Sequence, residues 1–346
     1  MRPLKVYAGY SKDKDIRMNS SSGAVFNSLA SYVLDKEGII YGVAMSKECY
    51  SAEYVRVTNV ENLSRIRGSK YMQAHIGDAY RQVRNDLMSG KLVLFSGTGC
   101  QINGLKNFLG EEYEKLICVD VICHGVPSPA LWKKYAMYQE KKNEGKLKSI
   151  TFRCKDDNYE GFWMKHIGGK TPKKNRKKLY IPQDADPYMQ MFLNDYCLRP
   201  SCYMCVAKNT KMSDITIADF WGIDSVAPEM NDGRGTSLVI IRTDLGNSIF
   251  NIISDEMKLK EVSYEDGVRD NPAEFKSALR PAERDVFFDD MHNMNFKELE
   301  KKYVIPRRAS IKSKIKKKIG DVIRKIFRIN NKKKYVDYGL LFVFQV

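Results

Sequence analysis

Leu92-Val-Leu-Phe-Ser-Gly-Thr-Gly-Cys-Gln101 runs from an apolar stretch through a glycine-rich turn into a helical pattern. Strand, glycine turn and helix N-terminus, in that order, make a cradle at the carboxyl end of a sheet strand, where backbone N–H groups meet an anion or a cofactor. It is not a Walker A loop, because no Lys follows Gly99 and the glycine spacing differs. Gly97, Gly99 and Gly104 also miss the G-x-G-x-x-G dinucleotide spacing. On either side, apolar runs of strand length alternate with helical periodicity. Strands are expected at 6–10, 39–45, 92–96 and 117–122, and helices at 24–34, 79–87, 102–108 and 129–141. That alternation predicts an α/β fold, a mixed central sheet flanked by helices, rather than a bundle or a sandwich. The second half continues the mixture, with strands at 148–153, 214–218 and 236–242 and late helices at 247–254 and 283–302. No fixed-period repeat and no Pro/Gly/Ser linker divides the chain, so residues 1–306 read as one body with room for two lobes.

Composition narrows the function. A chain of 346 residues, 43% hydrophobic and 11% aromatic, buries a real core, unlike a disordered tail or a disulfide-stapled miniprotein. No apolar run reaches membrane-spanning length, and the start MRPLKVYAGYSKDKD has no signal-peptide stretch, so a cytoplasmic protein is expected. Its eight cysteines are then free, catalytic or metal-bound. The formal charge of +16 is concentrated: residues 307–334 hold 13 Lys/Arg against one Asp, which leaves the body near neutral. A near-neutral body argues against a nucleic-acid partner. In the tail at 307–346, Ile311, Ile315, Ile319, Val322, Ile323, Ile326 and Phe327 recur at three- and four-residue steps among basic residues. This basic amphipathic helix suits an anionic membrane surface, as peripheral attachment on the inner face, or equally an apolar seat on the body. A second basic run at 165–178, interrupted by Gly168, Gly169 and Pro172, reads as a solvated hairpin loop.

Two further features carry chemistry. Ser20-Ser21-Ser22-Gly23 stands directly before a helical pattern, where hydroxyls and backbone N–H groups serve a phosphate or simply cap the helix. Cys197, Cys202 and Cys205 form a C-x4-C-x2-C stretch, and a soft metal centre needs several thiolates brought together in this way. Cys100 and Cys123 end consecutive expected strands and so fall on one rim of the sheet. Cys118 lies within an apolar run and reads as a buried small hydrophobe, and Cys49 and Cys154, in polar surroundings, receive no role. Spacing alone leaves zinc, 2Fe-2S and 4Fe-4S all open.

The motifs also follow a recognisable order: Arg17 with Ser20 to Gly23, Arg67-Gly-Ser-Lys-Tyr71, Ser96-Gly-Thr-Gly-Cys-Gln101, Cys123-His124-Gly125, the loop ending at Cys205, Ile217-Ala-Asp-Phe-Trp-Gly222 and Gly235-Thr-Ser-Leu238. Over roughly residues 4–260 this order resembles the beta subunit of coenzyme F420 hydrogenases and dehydrogenases, with most likeness to bacterial members associated with surface-polysaccharide gene clusters. The resemblance implies an FAD-binding oxidoreductase or electron-transfer subunit whose 4Fe-4S cluster exchanges electrons with the flavin, serving a redox partner protein or a small two-electron donor. Carried over by motif, the cluster ligands are Cys100, Cys123, Cys202 and Cys205, with Cys197 a fifth thiolate, spare or substitute. Flavin contacts are implied at Ser20, Ser21, Ser22, Gly23, Gly68, Ser69, Lys70, Gly97 and Thr98, with Lys70 neutralising the diphosphate or the reduced ring. His124 is a proton donor or a hydrogen bonder beside its cysteine, Asp219 orients substrate or cofactor, and Trp221 is expected in the core. Membership does not by itself bring coenzyme F420 as the partner. Two departures stand out. No ferredoxin module with paired C-x2-C-x2-C-x3-C-P runs stands before Lys5, so a shorter internal electron path is expected, and Gly99 replaces a proline, which predicts a looser turn. The competing expectation is a nonenzymatic zinc-stabilised scaffold of a membrane-associated biosynthetic complex.

Overall fold

The computed structural model describes residues 3–155, 163–168 and 177–305; the tail at 307–346 and the centre of the basic run at 169–176 lie outside the described residues. In chain order the strands are β1 (Lys5–Ser11), β2 (Ile39–Met45), β3 (Ala52–Val57), β4 (Ala74–His75), β5 (Val93–Thr98) and β6 (Leu116–Val121). They continue with β7 (Leu147–Cys154), β8 (Trp163–Gly168), β9 (Lys177–Pro182), β10 (Ile215–Asp219), β11 (Ser237–Ile241) and β12 (Met257–Glu261). Nine of these form one mixed sheet in the order β12-β1-β11-β10-β6-β5-β2-β3-β4, and β7, β8 and β9 form a small antiparallel sheet. The ends of the basic run at 165–178 therefore belong to paired strands, and 169–176 connects them.

Register decides what meets at the carboxyl rim. β10, β6, β5 and β2 are mutually parallel, and Thr98 stands opposite Val121, which stands opposite Ile217. Two residues beyond that row come Cys100, Cys123 and Asp219. Asp219 pairs with Ser237, and Ser237 with Gly9 of β1, so the segment that follows β1 reaches the same rim. Ligand sites in open α/β sheets gather outside the carboxyl ends of the strands, and here four strand ends deliver polar and thiol groups to one edge.

Alternation along the strands fills both faces of the sheet. Ile40, Leu94, Ile117, Val119, Ile215 and Val239 pack against the helices Val25–Asp35 and Asp244–Ile253. Ile39, Tyr41, Val93, Phe95 and Leu116 face the helices Ala79–Met88 and Gly99–Leu109. Each such aliphatic side chain contributes about 1.5–3 kcal/mol when fully buried. A third cluster, centred on Trp132, Tyr135, Tyr188 and Phe287, joins the helix Pro129–Lys142 to the small sheet and to late helices.

Several expectations change. The helix expected over 283–302 is two helices, Arg284–Asn293 and Phe296–Tyr303, because Asn295 caps the second: its side chain accepts from the Glu298 N–H while the Glu298 carboxylate accepts from the Asn295 N–H at 2.8 Å. Cys49 and Cys154 are buried rather than in polar surroundings, and the Trp132 ring N–H donates to the Cys49 carbonyl at 2.9 Å. Trp221, expected in the core, is 41% exposed.

Candidate functional site

The rim carries two neighbourhoods. At one end, β5 runs into the helix Gly99–Leu109, with Cys100 in its first turn and exposed. Gly99 is not loose, as the missing proline suggested. A Cβ there would lie 3.0 Å from Asp120 Oδ2 and 3.3 Å from the Ala207 Cβ, so glycine lets the helix close onto the turn after Cys205. Cys123 follows β6 in a loop that lies antiparallel to the chain at 198, through a bridge between Pro127 and Leu198. Cys202 and Cys205 belong to the short helical turn Pro200–Met204 and its cap. Burial pushes the Cys123 thiol up to about 12, against the pull of Lys208, and Cys100, Cys202 and Cys205 lie close enough to push it further the same way. Cys202 is raised by burial, against a backbone hydrogen bond from Val126, with Cys100 and Cys205 again adding to the rise. Four thiols from three segments thus share one neighbourhood. Around them, Thr98 Oγ1 lies 3.2 Å from Cys100 Sγ, the Cys205 N–H donates to Ser277 Oγ at 3.0 Å, and Lys208 Nζ donates to the Cys123 carbonyl at 2.5 Å.

Cys197 does not join them. It is fully buried in the aromatic cluster with Tyr188, Leu198 and Phe287; burial raises its thiol, and the charges nearest it are Asp195 and Arg284. Cys118 is buried inside β6, as its apolar run predicts. Among the described residues, no three His, Cys, Asp or Glu side chains converge tightly enough to hold a single metal ion. A closed zinc site needs its donors at about 2.0–2.3 Å from one centre. A multi-iron cluster instead spreads its thiolates over separate irons. The chemistry of the donor set, four thiols with no carboxylate or imidazole among them, is that of the second arrangement.

At the other end, the serine run does not cap its helix. The cap is Ala24, in a left-handed backbone conformation, and the hydroxyls point elsewhere. Ser21 Oγ accepts from the Ser69 N–H at 2.9 Å, which brings the Gly68–Lys70 loop onto the run; Ser22 donates to the Thr236 carbonyl, Ser20 to that of Ile16, and the Gly23 N–H to Ser237 Oγ. Lys70 turns inward, donating to the Arg65 and Arg67 carbonyls at the end of the helix Val60–Ile66, and desolvation lowers it to about 7. Its side chain is thus committed to its own loop rather than extended toward a diphosphate. Gly97 faces Tyr54, whose hydroxyl would lie 2.2 Å from any Cβ placed there and which donates to Gln101 Oε1 at 3.0 Å; Thr98 gives its N–H to the same oxygen.

Between the serine run and the end of β10 opens a cavity of about 270 Å³, lined by Ser21, Arg153, Lys155, Asp219, Trp221 and Arg234, among others. That volume takes a ring system or a small metabolite but not a whole dinucleotide. Both Asp219 oxygens accept from Arg153, at 2.5 and 3.1 Å. Arg17, an element of the motif series, is buried and forks onto Asp232 and the Gly235 carbonyl. Lys155 donates to the Arg17 and Ser22 carbonyls, and burial, with Arg153 and Arg17 beside it, lowers it to about 7. His124 lies 2.6 Å from the Asp195 carboxylate and edge-on to Phe192. Arg153, Lys155, Asp195 and Lys208 give no signal of their own in the sequence, since each is defined by a partner far along the chain.

The described residues thus form an α/β protein with a mixed sheet that carries free thiols and a polar cavity along one rim. Residues 6–80 match the N-terminal region, and residues 90–266 the C-terminal region, of coenzyme F420 hydrogenase/dehydrogenase beta subunits. The chain belongs to that family of oxidoreductase subunits. It is 22% identical over 250 residues to a coenzyme F420-dependent sulfite reductase of Methanocaldococcus jannaschii; the match covers 71% of this chain but only 37% of that relative. Its fold is similar to a chain of the F420-reducing NiFe hydrogenase complex from Methanosarcina barkeri, solved as a xenon derivative, with a TM-score of 0.50 at 16% identity over 75% of this chain and 82% of the other. Among the described residues no helix is long and apolar enough to cross a membrane.

Proposed function

We propose that the chain is an iron–sulfur flavoprotein electron-transfer subunit, with a 4Fe-4S cluster held by Cys100, Cys123, Cys202 and Cys205 and FAD seated at Ser20–Gly23, the backbone of Gly68–Lys70 and Gly97–Thr98. The observation that carries this reading is the gathering of four free thiols from three separate segments at the rim that also bears the serine run. FAD exchanges two electrons with a hydride donor or acceptor and single electrons with a cluster, and this is the chemistry that the pair supplies when bound. The chain's residues position and insulate. The Val126 backbone bonds the Cys202 thiol and the Thr98 hydroxyl that of Cys100, and such bonds tune a cluster's potential. His124, tied to Asp195, holds the Cys123 loop in place, and Asp219 fixes Arg153 at the cavity mouth. In this reading neither is a free proton carrier, and both are positioning residues. The motif order from Arg17 to Leu238 is what supports a surface-polysaccharide setting, and family membership supports a redox partner protein.

Anaerobic purification tests the proposal. About four irons and four sulfides per chain are expected, together with FAD in the released cofactors. Cys205→Ser should abolish the iron–sulfur absorbance and Cys118→Ser should leave it intact. Zinc without flavin, or equal loss in both variants, overturns the proposal.

A further inference from the structure

We infer that the face formed by Met204, Val206, Phe275 and Leu279 is the docking surface for a small acidic protein that carries one electron at a time. The inference rests on the 4Fe-4S reading above. Met204 and Leu279, each 84% exposed, are the most exposed large apolar side chains among the described residues; Val206 is 69% and Phe275 44% exposed. A single exposed apolar residue is ordinary, whereas a cluster of them marks an interaction site. These four come from two segments that are pinned together next to the thiols. The Cys205 N–H donates to Ser277 Oγ, and Lys208 Nζ bonds the carbonyls of both Cys123 and Ala273. Met204 and Val206 directly flank Cys205 in sequence.

Charge selects the partner. The exposed charged side chains of 199–211 and 272–280 are all basic: Arg199, Lys276 and Arg280. Arg280 is paired with Asp285 of the following helix. The single carboxylate of the two segments, Glu274, is buried against Arg242 and Lys211. An apolar centre with a cationic rim steers and seats an acidic partner, and interfaces of short-lived electron-transfer pairs are small, below about 1,200 Å². With the proposed cluster held by the four thiols, transfer would take one electron from the reduced carrier to that cluster, with no bond made or broken and no proton needed.

The test uses the full chain and a small acidic 2Fe-2S ferredoxin as the probe, with binding followed by interferometry and self-association by sedimentation. Wild-type binding should weaken as salt rises to ~0.3 M. The double substitution Met204→Glu/Leu279→Glu should weaken it by about tenfold or more, and Lys276→Glu by a few-fold, with thermal melting unchanged because all three sites are exposed. No binding, equal binding by the double variant, or a wild-type dimer that the double variant dissolves each overturns the inference; the last makes the face a contact between copies. Iron is assayed on the same samples. A chain that holds iron and flavin but ignores the ferredoxin loses this inference alone, and a chain without iron loses the functional reading.

Discussion

Gly23 shows how tightly the rim is built. A Cβ on it would lie 2.2 Å from the Gly9 carbonyl oxygen and 2.9 Å from the Ser237 nitrogen, both backbone atoms that cannot step aside. Gly23→Ala should therefore cost ~1–3 kcal/mol, read as a lower midpoint in urea, and should loosen the contact between Ser21 and Ser69. Asp186 is a second residue whose surroundings decide its behaviour. Burial raises its carboxyl to about 6, although the Tyr135 hydroxyl and the Met189 N–H both donate to it. The folded state thus keeps a proton that the unfolded chain releases near pH 4, so stability falls as pH rises from about 4 to about 6, by on the order of 3 kcal/mol. Asp186→Asn should keep the cap and remove that slope in melts taken across the window. Residue roles were only partly legible beforehand. Cysteine spacing and motif order picked out the four thiols, but the turning of Lys70 into its own loop and the seclusion of Cys197 depend on distant packing that no local pattern encodes.

At the scale of elements, the buried polar chain behind the thiol loop deserves the sharpest test. Arg242 donates to Thr216 Oγ1 at 2.6 Å and to Glu274 at 2.5 Å, and Thr216 donates to Asp120 at 2.5 Å, all within a buried interior joining β6, β10 and the end of β11. Arg242→Ala leaves Glu274 to Lys211, at 3.2 Å, and to the Tyr264 hydroxyl, and should cost ~3 kcal/mol in chemical denaturation, because removing one partner of a buried ion pair leaves the remaining charge poorly compensated. Asn295→Ala should cost about 1 kcal/mol by removing the cap that separates the two late helices. Strands rich in β-branched residues were legible within a residue or two, whereas the helices expected at 102–108 and 247–254 begin three residues earlier, at Gly99 and Asp244. β3 was not: Ala52-Glu-Tyr-Val-Arg-Val57 mixes charges into a half-exposed strand, so its apolar signal is weak until β2 pairs with it. The break at 294 was hidden for a different reason, since helical periodicity runs through it and only the reciprocal Asn295 and Glu298 bonds reveal the stop.

For the whole molecule, the charge division along the chain makes a prediction that the body does not share. Deleting 307–346 removes 13 of the Lys/Arg residues and the apolar stripe, and should keep iron and flavin content while weakening co-sedimentation with phosphatidylserine vesicles; unchanged vesicle binding would end the membrane proposal. The sheet order has a further consequence, for how the protein matures. β6 and β10 are neighbours in the sheet although β7, β8 and β9 lie between them in the chain, and the sulfur atoms near positions 100 and 123 wait for those near 202 and 205 until that long excursion has closed. A ribosome-bound fragment ending before Cys202 holds half a nest. On the proposed iron–sulfur reading, metal delivery would follow synthesis of the stretch through Cys205.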